Sequence, residues 1–231
     1  NEQKVNCVVA GNVNFLIKKS SKIFKGECYK TFELNKDDEV DIISTINSVY
    51  GYFSVSGGFE LKKIWGSYST HVKSELGPNN GKKIIQGDNL LINKKLTSNY
   101  QKKINFLNRK IEFIRVIKGT NFDFFSDESK NYFFNSSFEV TNLTDRMGMR
   151  LDGYKLKNLK NGNIKSEGLV KGVIQVPPDG RPIIMLSDHG TIGGYPKIGV
   201  IISADYDKIV QLPPSSKIKF KLVDIFEAEK L

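Results

Sequence analysis

Arginine is scarce in this chain of 231 residues: of its 35 basic residues, 30 are lysine and only five are arginine. Arginine is the residue that makes bidentate contacts to phosphate and guanine. The lysines are scattered in runs of no more than two and gather on no basic helix. The net charge of +10 is therefore read as lysine filling exposed positions in a chain also rich in Asn and Ile, and nucleic acid is not an expected partner. Cysteine is nearly absent. Cys7 and Cys28 form no C-x-x-C pair and no metal-type cluster, which predicts reduced thiols in a cytoplasmic protein rather than a disulfide. His71 and His189 are the only histidines, so a tetrahedral zinc site is not expected. No apolar run approaches the roughly 20 residues that cross a bilayer, and no membrane role is expected. The first residues, NEQKVNCVVAGNV, lack the basic start, apolar stretch and cleavage pattern of a secretory signal. There is no initiator Met, which points to a fragment or to a start further upstream.

The common catalytic signatures are missing as well. There is no G-x-x-x-x-G-K-[ST], no G-x-G-x-x-G after a strand, no G-x-S-x-G and no H-E-x-x-H. A Ser-His-Asp constellation is not excluded by this, because such residues meet in space and not in sequence.

What is present is a chain of short β-type segments, 39% hydrophobic and long enough to bury roughly 70–75% of its unfolded surface. Lys4–Ala10 and Val13–Lys18 flank Gly11–Asn12 and predict a hairpin. Thr31–Leu34, Val40–Ile43 and Tyr50–Ser56 are further strands, the last ended by Gly57–Gly58. Gly66–Glu75 reads as a loop leading into a short helix, and Gly87–Asp88 as a turn. Ser98–Asn108 is the candidate boundary between two halves. Lys110–Ile117 alternates as a strand does. Ser126–Phe134 opens with an N-cap serine and an acidic first turn, which predicts a short helix. Phe138–Thr141 is a strand, followed by a turn at Asn142–Arg146. Gly172–Val176 and Pro182–Leu186 form a hairpin about the turn Pro177–Gly180. A double-glycine turn at Gly193–Gly194 precedes the buried strand Ile198–Ser203. One or two helical turns (Asp205–Gln211) and a last strand, Lys217–Val223, close the chain. Such a β-rich pattern fits barrels or closed sheets.

Polar residues concentrate in a few loops. On one reading Asp145, Arg146, Glu167, Asp188, Thr191 and Lys197 line a shared pocket, where an Arg or Lys grips a carboxylate and glycines let the backbone approach a ligand. On the other, Asp145–Arg146 and Glu167 form ion pairs and caps, and the glycines only make turns. His189 beside Asp188 is read as a hydrogen-bonded structural residue and His71 as a surface residue. Trp65 and the Phe122–Phe125 segment are read as core.

The strings SEG-x3-G-x-IQVPPDG-x-PI (from Ser166) and D-x2-T-x-GGYP-x-IG-x-II-x-AD (from Asp188) resemble allophanate hydrolase subunit 2. Relatives of that family are the C subunit of 5-oxoprolinase and the carboxyltransferase domain of urea carboxylase. Thr144–Arg150 (TDRMGMR) resembles the family's SDRMG-type segment, and Gly57-Gly58 and Gly66-Ser67-x-Ser69-Thr70 resemble its GG and GS-x-ST motifs. The resemblance runs from about Val8 to the C-terminus. It implies a mainly β fold of two cyclophilin-like β-barrel halves with a few short helices, the first and incomplete half over 1–108 and the second over 109–231. It implies Asp145, Arg146, Glu167, Asp188 and Lys197 as catalytic candidates. For substrate binding it implies Gln175, Pro178, Thr191, Gly193, Gly194, Tyr195, Ser67 and Thr70. Its implied partners are an allophanate hydrolase subunit 1-like (KipI-type) protein and a LamB/YcsF-type subunit, which together open 5-oxoproline to glutamate at the expense of ATP. No cofactor is implied for this chain itself, since ATP is handled by the complex. The alternatives are transfer of a carboxyl group from carboxybiotin to urea and a regulatory module that modulates a kinase. The biotin-bearing A-M-K-M motif does not occur here.

Two departures from the family pattern accompany the resemblance. The T-T-x-Q-D-x-G-R and G-V-P-x-S-G-A-M-D motifs of the family's N-terminal segment are missing, so the chain is expected to be inactive alone. The family's Q-T-T-G-G-Y-P is here Gly190-Thr191-Ile192-Gly193-Gly194-Tyr195-Pro196, which removes an amide at Gly190 and a hydroxyl at Ile192.

Overall fold

The computed structural model describes residues 4–20, 22–93, 102–105, 112–160 and 162–231. It divides into two units, Asn1–Leu107 and Asn108–Leu231. Of the boundary segment read from sequence, residues 98–101 and 106–108 lie outside the described residues.

The first unit holds six strands among the described residues: β1 (Val5–Gly11), β2 (Val13–Lys19), β3 (Lys22–Lys25), β4 (Phe32–Leu34), β5 (Glu39–Thr45) and β6 (Gly51–Val55). They form two antiparallel sheets, ordered β4-β1-β6 and β3-β2-β5. β1 and β2 are strands as expected, but they are not a hairpin. β1 pairs with β4 and β6, whereas β2 pairs with β3 and β5. Gly11–Asn12 is thus a corner at which the chain leaves one sheet for the other. Gly11 takes φ +101°, and a Cβ there would lie 2.8 Å from the Tyr50 carbonyl oxygen. Alternation in both strands turns Cys7, Val9, Val13, Phe15 and Ile17 inward. Phe15 is fully buried, with Phe32 at a ring-centroid distance of 5.7 Å.

Burial pushes the Cys7 thiol up to about 11. The thiolate is the reactive form, so alkylation of Cys7 by iodoacetamide at pH 8 is expected to be negligible in the folded chain and rapid in denaturant. Peptide mass mapping with and without denaturant checks this. Trp65 is no core residue: it sits at φ +48° in the tight turn between Ile64 and Ser67, which turns its ring outward and leaves it 86% exposed.

The second unit contributes β7 (Ile114–Lys118), β8 (Phe138–Val140), β9 (Gly148–Asp152), β10 (Glu167–Gly168), β11 (Val173–Gln175), β12 (Ile183–Met185), β13 (Ile192–Gly193), β14 (Lys197–Ile201), β15 (Lys217–Ile218) and β16 (Phe220–Leu222). β10 and β13 make a short ladder of their own, and the others form one eight-stranded sheet. Its spatial order is β15-β8-β9-β12-β11-β14-β7-β16. Only Lys219 separates the two edge strands β15 and β16, so the ends of the order meet and the sheet wraps into a nearly closed barrel. The single strand expected over Lys217–Val223 is in fact these two, one on β8 and the other parallel to β7.

The barrel interior is filled by Ile114, Val116, Phe138, Leu151, Ile174, Ile184, Ile198 and Phe220 among others. Helix α1 (Asp127–Asn135) packs Phe133 in a stack on Phe220 at 4.5 Å. Its N-cap is Ser126, whose hydroxyl accepts from the Ser129 amide. Phe122 and Phe125 join this core as expected. Helix α2 (Ser203–Ile209) adds Tyr206 and Ile209, and α3 (Ile225–Glu229) follows the last strand. The mainly β fold with a few short helices is the one expected.

Candidate functional site

The start of β14 is where polar residues are drawn into the barrel wall. Gln175, at the end of β11, faces Lys197, the first residue of β14, after a register shift between Ile174 and Gln175. Such an irregularity re-aims a side chain. Gln175 is buried and its amide donates to the Tyr195 carbonyl at 3.1 Å. On the other side of β14 the chain after β7 continues the pairing. The Gly119 amide donates to the Ile198 carbonyl at 3.1 Å and the Asn121 amide to the Lys197 carbonyl at 3.3 Å. The Asn121 side-chain oxygen in turn accepts from the Lys197 amide at 3.0 Å. Only glycine allows this approach, since a Cβ at position 119 would lie 2.3 Å from the Lys197 carbonyl oxygen.

Glu167 is brought over this pair by the β10–β13 ladder, in which it stands opposite Gly193. Lys197 Nζ donates to Glu167 Oε2 at 2.5 Å. The lysine side chain is 4% exposed and the glutamate side chain 43% exposed. The hydrogen bond from Lys197 holds the Glu167 carboxyl below its ordinary range against the cost of desolvation, with Asn121 and Thr120 assisting. The result is a carboxylate kept ionised, with a cation buried behind it and one side open to solvent. Such a group can accept a hydrogen bond or a proton from a bound molecule.

A second ion pair lies on the β8–β9 and β12–β13 connections. Arg146 Nε and Nη2 reach the two carboxylate oxygens of Asp188 at 2.6 and 3.1 Å, a bidentate fork. Asp145 is a loop cap, one of the roles the second reading of the sequence gave this segment. Its Oδ1 accepts the amides of Met147 and Gly148 at 2.8 and 3.0 Å and so closes the turn into β9. The six residues expected around one pocket are thus distributed: two ion pairs, a turn-closing Asp145, and Thr191, which is exposed and offers its carbonyl to the Leu169 amide.

Gly193 and Gly194 do not make a turn. Gly193 ends β13 in extended backbone, and its place is dictated by space: a Cβ there would be 2.6 Å from Gln175 Nε2. Tyr195 is the bend that follows, its carbonyl bonded by Gln175. Gly190 is exposed, and the Ile192 side chain is 64% exposed, so the altered position of the motif faces solvent. Pro178 lies in the β11–β12 turn and lines a cleft of about 670 Å³ with Lys155, Lys157 and Asn158. His189 bonds through Nδ1 to the Gly190 carbonyl at 2.6 Å, as a structural residue would. In the first unit, the Ser67 hydroxyl accepts from the Ser69 amide and the Thr70 hydroxyl donates to the Pro78 carbonyl. His71 is half-buried and caps the 3-10 turn Val72–Ser74.

Thr120 and Asn121 were not legible as site residues. Their signal is slight, a Gly119-Thr120-Asn121 triplet directly after an alternating strand, which reads equally well as a strand end.

The mainly β fold is that of a carboxyltransferase-type protein. The chain belongs to the family described as carboxyltransferase domain, subdomain A and B, whose profile matches residues 2–222. It is 34% identical over 183 residues to the C subunit of 5-oxoprolinase from Escherichia coli, covering 78% of this chain and 58% of that protein. It is 29% identical to the corresponding C subunit from Haemophilus influenzae, over 100% of this chain and 73% of that one. The crystal structure of the Kluyveromyces lactis urea amidolyase superposes with a TM-score of 0.86 at 23% identity, over 99% of this chain and 15% of that one. Among the described residues no helix is long and apolar enough to cross a membrane.

Proposed function

We propose that this chain is a component of an ATP-dependent 5-oxoprolinase-type amidohydrolase in the cytoplasm, in the place of that enzyme's C subunit. The observation that carries the reading is the half-exposed Glu167 carboxylate, held ionised over the buried Lys197 in a chain 34% identical to a known C subunit of 5-oxoprolinase. Opening the lactam of 5-oxoproline breaks its C–N bond, places a water oxygen on the new carboxyl and leaves an amine that must gain a proton. Glu167 serves this chemistry by accepting a proton from the attacking water and returning it to the departing amine, and Lys197 fixes its position and charge. Gln175 sets the Tyr195 carbonyl beside this pair. A subunit 1-like protein completes the site, a LamB/YcsF-type protein completes the complex, and ATP is handled by that complex and not by this chain.

A second reading is favoured by one observation, the likeness in fold to urea amidolyase. There Glu167 would accept an N–H of urea while carboxybiotin, brought by a carrier protein, delivers the carboxyl group. Reconstitution separates the two. ATP-dependent release of glutamate from 5-oxoproline, present with the subunit 1-like and LamB/YcsF-type proteins and lost when this chain is left out, supports the first. Carboxylation of urea with a biotin carrier, and no glutamate release, replaces it by the second.

A further inference from the structure

We propose that Asn121 is a positioning residue of this site and Thr120 its auxiliary: they lock the Glu167 carboxylate and the Lys197 backbone into one orientation. The inference rests on the role given above to the Glu167–Lys197 pair.

Asn121 is 5% exposed although it stands outside any regular element. A buried carboxamide must satisfy its polar atoms, and here the oxygen is spent on this pair. Its oxygen accepts the Lys197 amide at 3.0 Å, and its own backbone amide donates to the Lys197 carbonyl at 3.3 Å. Its nearness also favours the ionised form of the Glu167 carboxylate. The Thr120 hydroxyl reaches both the Asn121 oxygen at 3.4 Å and Glu167 Oε2 at 3.5 Å. Asn121 and Thr120 together therefore join the backbone that starts β14 to the acid that hangs from β10.

Among the described residues, the groups that act on Glu167 are Lys197 from β14 and Thr120 and Asn121 from the segment after β7. Its ladder partner β13 brings Ile192 and Gly193, which carry no charge. Lys197 alone would leave the carboxylate free to swing about a single contact. Donors on a second element fix its direction. Gly119 makes the arrangement possible by its contact with the Lys197 carbonyl, which tolerates no side chain.

The test uses the full chain with Asn121→Leu, which keeps the volume and removes the carboxamide, and with Thr120→Val at an exposed position. Titration of Glu167 is followed by 13C NMR on glutamate-labelled protein, with the signal assigned by its loss in Glu167→Gln. The Asn121→Leu substitution is expected to move the Glu167 titration upward, toward the ordinary value of about 4.3. Thr120→Val is expected to move it less, in the same direction. In the reconstituted complex the acid limb of turnover should rise in step, and kcat should fall by up to about 100-fold with little change in KM. A titration unchanged in both folded variants overturns the proposal. Should Asn121→Leu not fold, Thr120→Val decides alone. A shifted titration in a complex without 5-oxoprolinase turnover upholds the positioning role and rejects the functional reading instead.

Discussion

Replacing Asp205 by alanine is expected to destabilise the second unit by about 3–5 kcal/mol, a drop in Tm of roughly 10 °C or more. Asp205 is 1% exposed and sits in the first turn of α2. Its carboxylate accepts four hydrogen bonds: from the Arg115 amide at 2.9 Å, Arg115 Nε at 2.7 Å, Arg115 Nη2 at 2.6 Å and Lys208 Nζ at 2.7 Å. Burial alone would raise its pKa, but the Arg115 and Lys208 contacts outweigh that and hold it far below the carboxylate range. Removing the acid strands the partly buried Arg115 beside an unpaired backbone amide. The sign of the pH dependence follows from the depressed pKa. The contribution is complete above the unfolded value of about 3.9 and is lost as pH falls from there toward the folded value. Thermal melts of wild type and Asp205→Ala should therefore differ fully at pH 7 and converge below about pH 4. A difference under about 1 kcal/mol at pH 7 would show the pair to be ornamental.

The Glu167–Lys197 pair should respond unequally to the loss of its two members. Glu167→Ala leaves the buried Lys197 ammonium without its counterion, at a cost of about 3 kcal/mol or more. Lys197→Met leaves a carboxylate that is already 43% exposed and can rehydrate, with an apolar chain of similar length in the slot. Chemical denaturation is expected to place Lys197→Met near wild type and Glu167→Ala well below it. Equal losses would mean that the buried position of the lysine is not what sets the energetics. In the reconstituted complex both substitutions should lower turnover by roughly 100-fold or more.

The strands of this protein were legible and their partners were not. The alternation in Val5–Gly11 and Val13–Lys19 identifies two strands because period two is local. Whether they pair is decided by β5 and β6, whose paired residues lie 21–48 positions on and which compete for the same edges. The same holds for Lys217–Val223. Its clean alternation is real, yet closing the barrel needs its two halves on β8 and on β7, and the chain kinks at Lys219. The Gly193–Gly194 pair was misread because glycine serves two ends. Here it provides room for Gln175 rather than a left-handed backbone. In the site, charged residues in loops pointed to Glu167, Lys197, Arg146 and Asp188, and the structure pairs them. Asn121 stayed hidden because its importance lies in a contact 76 residues away, with nothing local to mark it.

The most direct measurement is ATP-dependent glutamate release from 5-oxoproline by the reconstituted complex when this chain alone carries Glu167→Gln, which keeps an oxygen for Lys197 but removes the charge. Assembly by size-exclusion chromatography should be unchanged, and turnover should fall at least about 100-fold. Wild-type turnover from that assembled complex would contradict the assignment of the chemistry to this carboxylate.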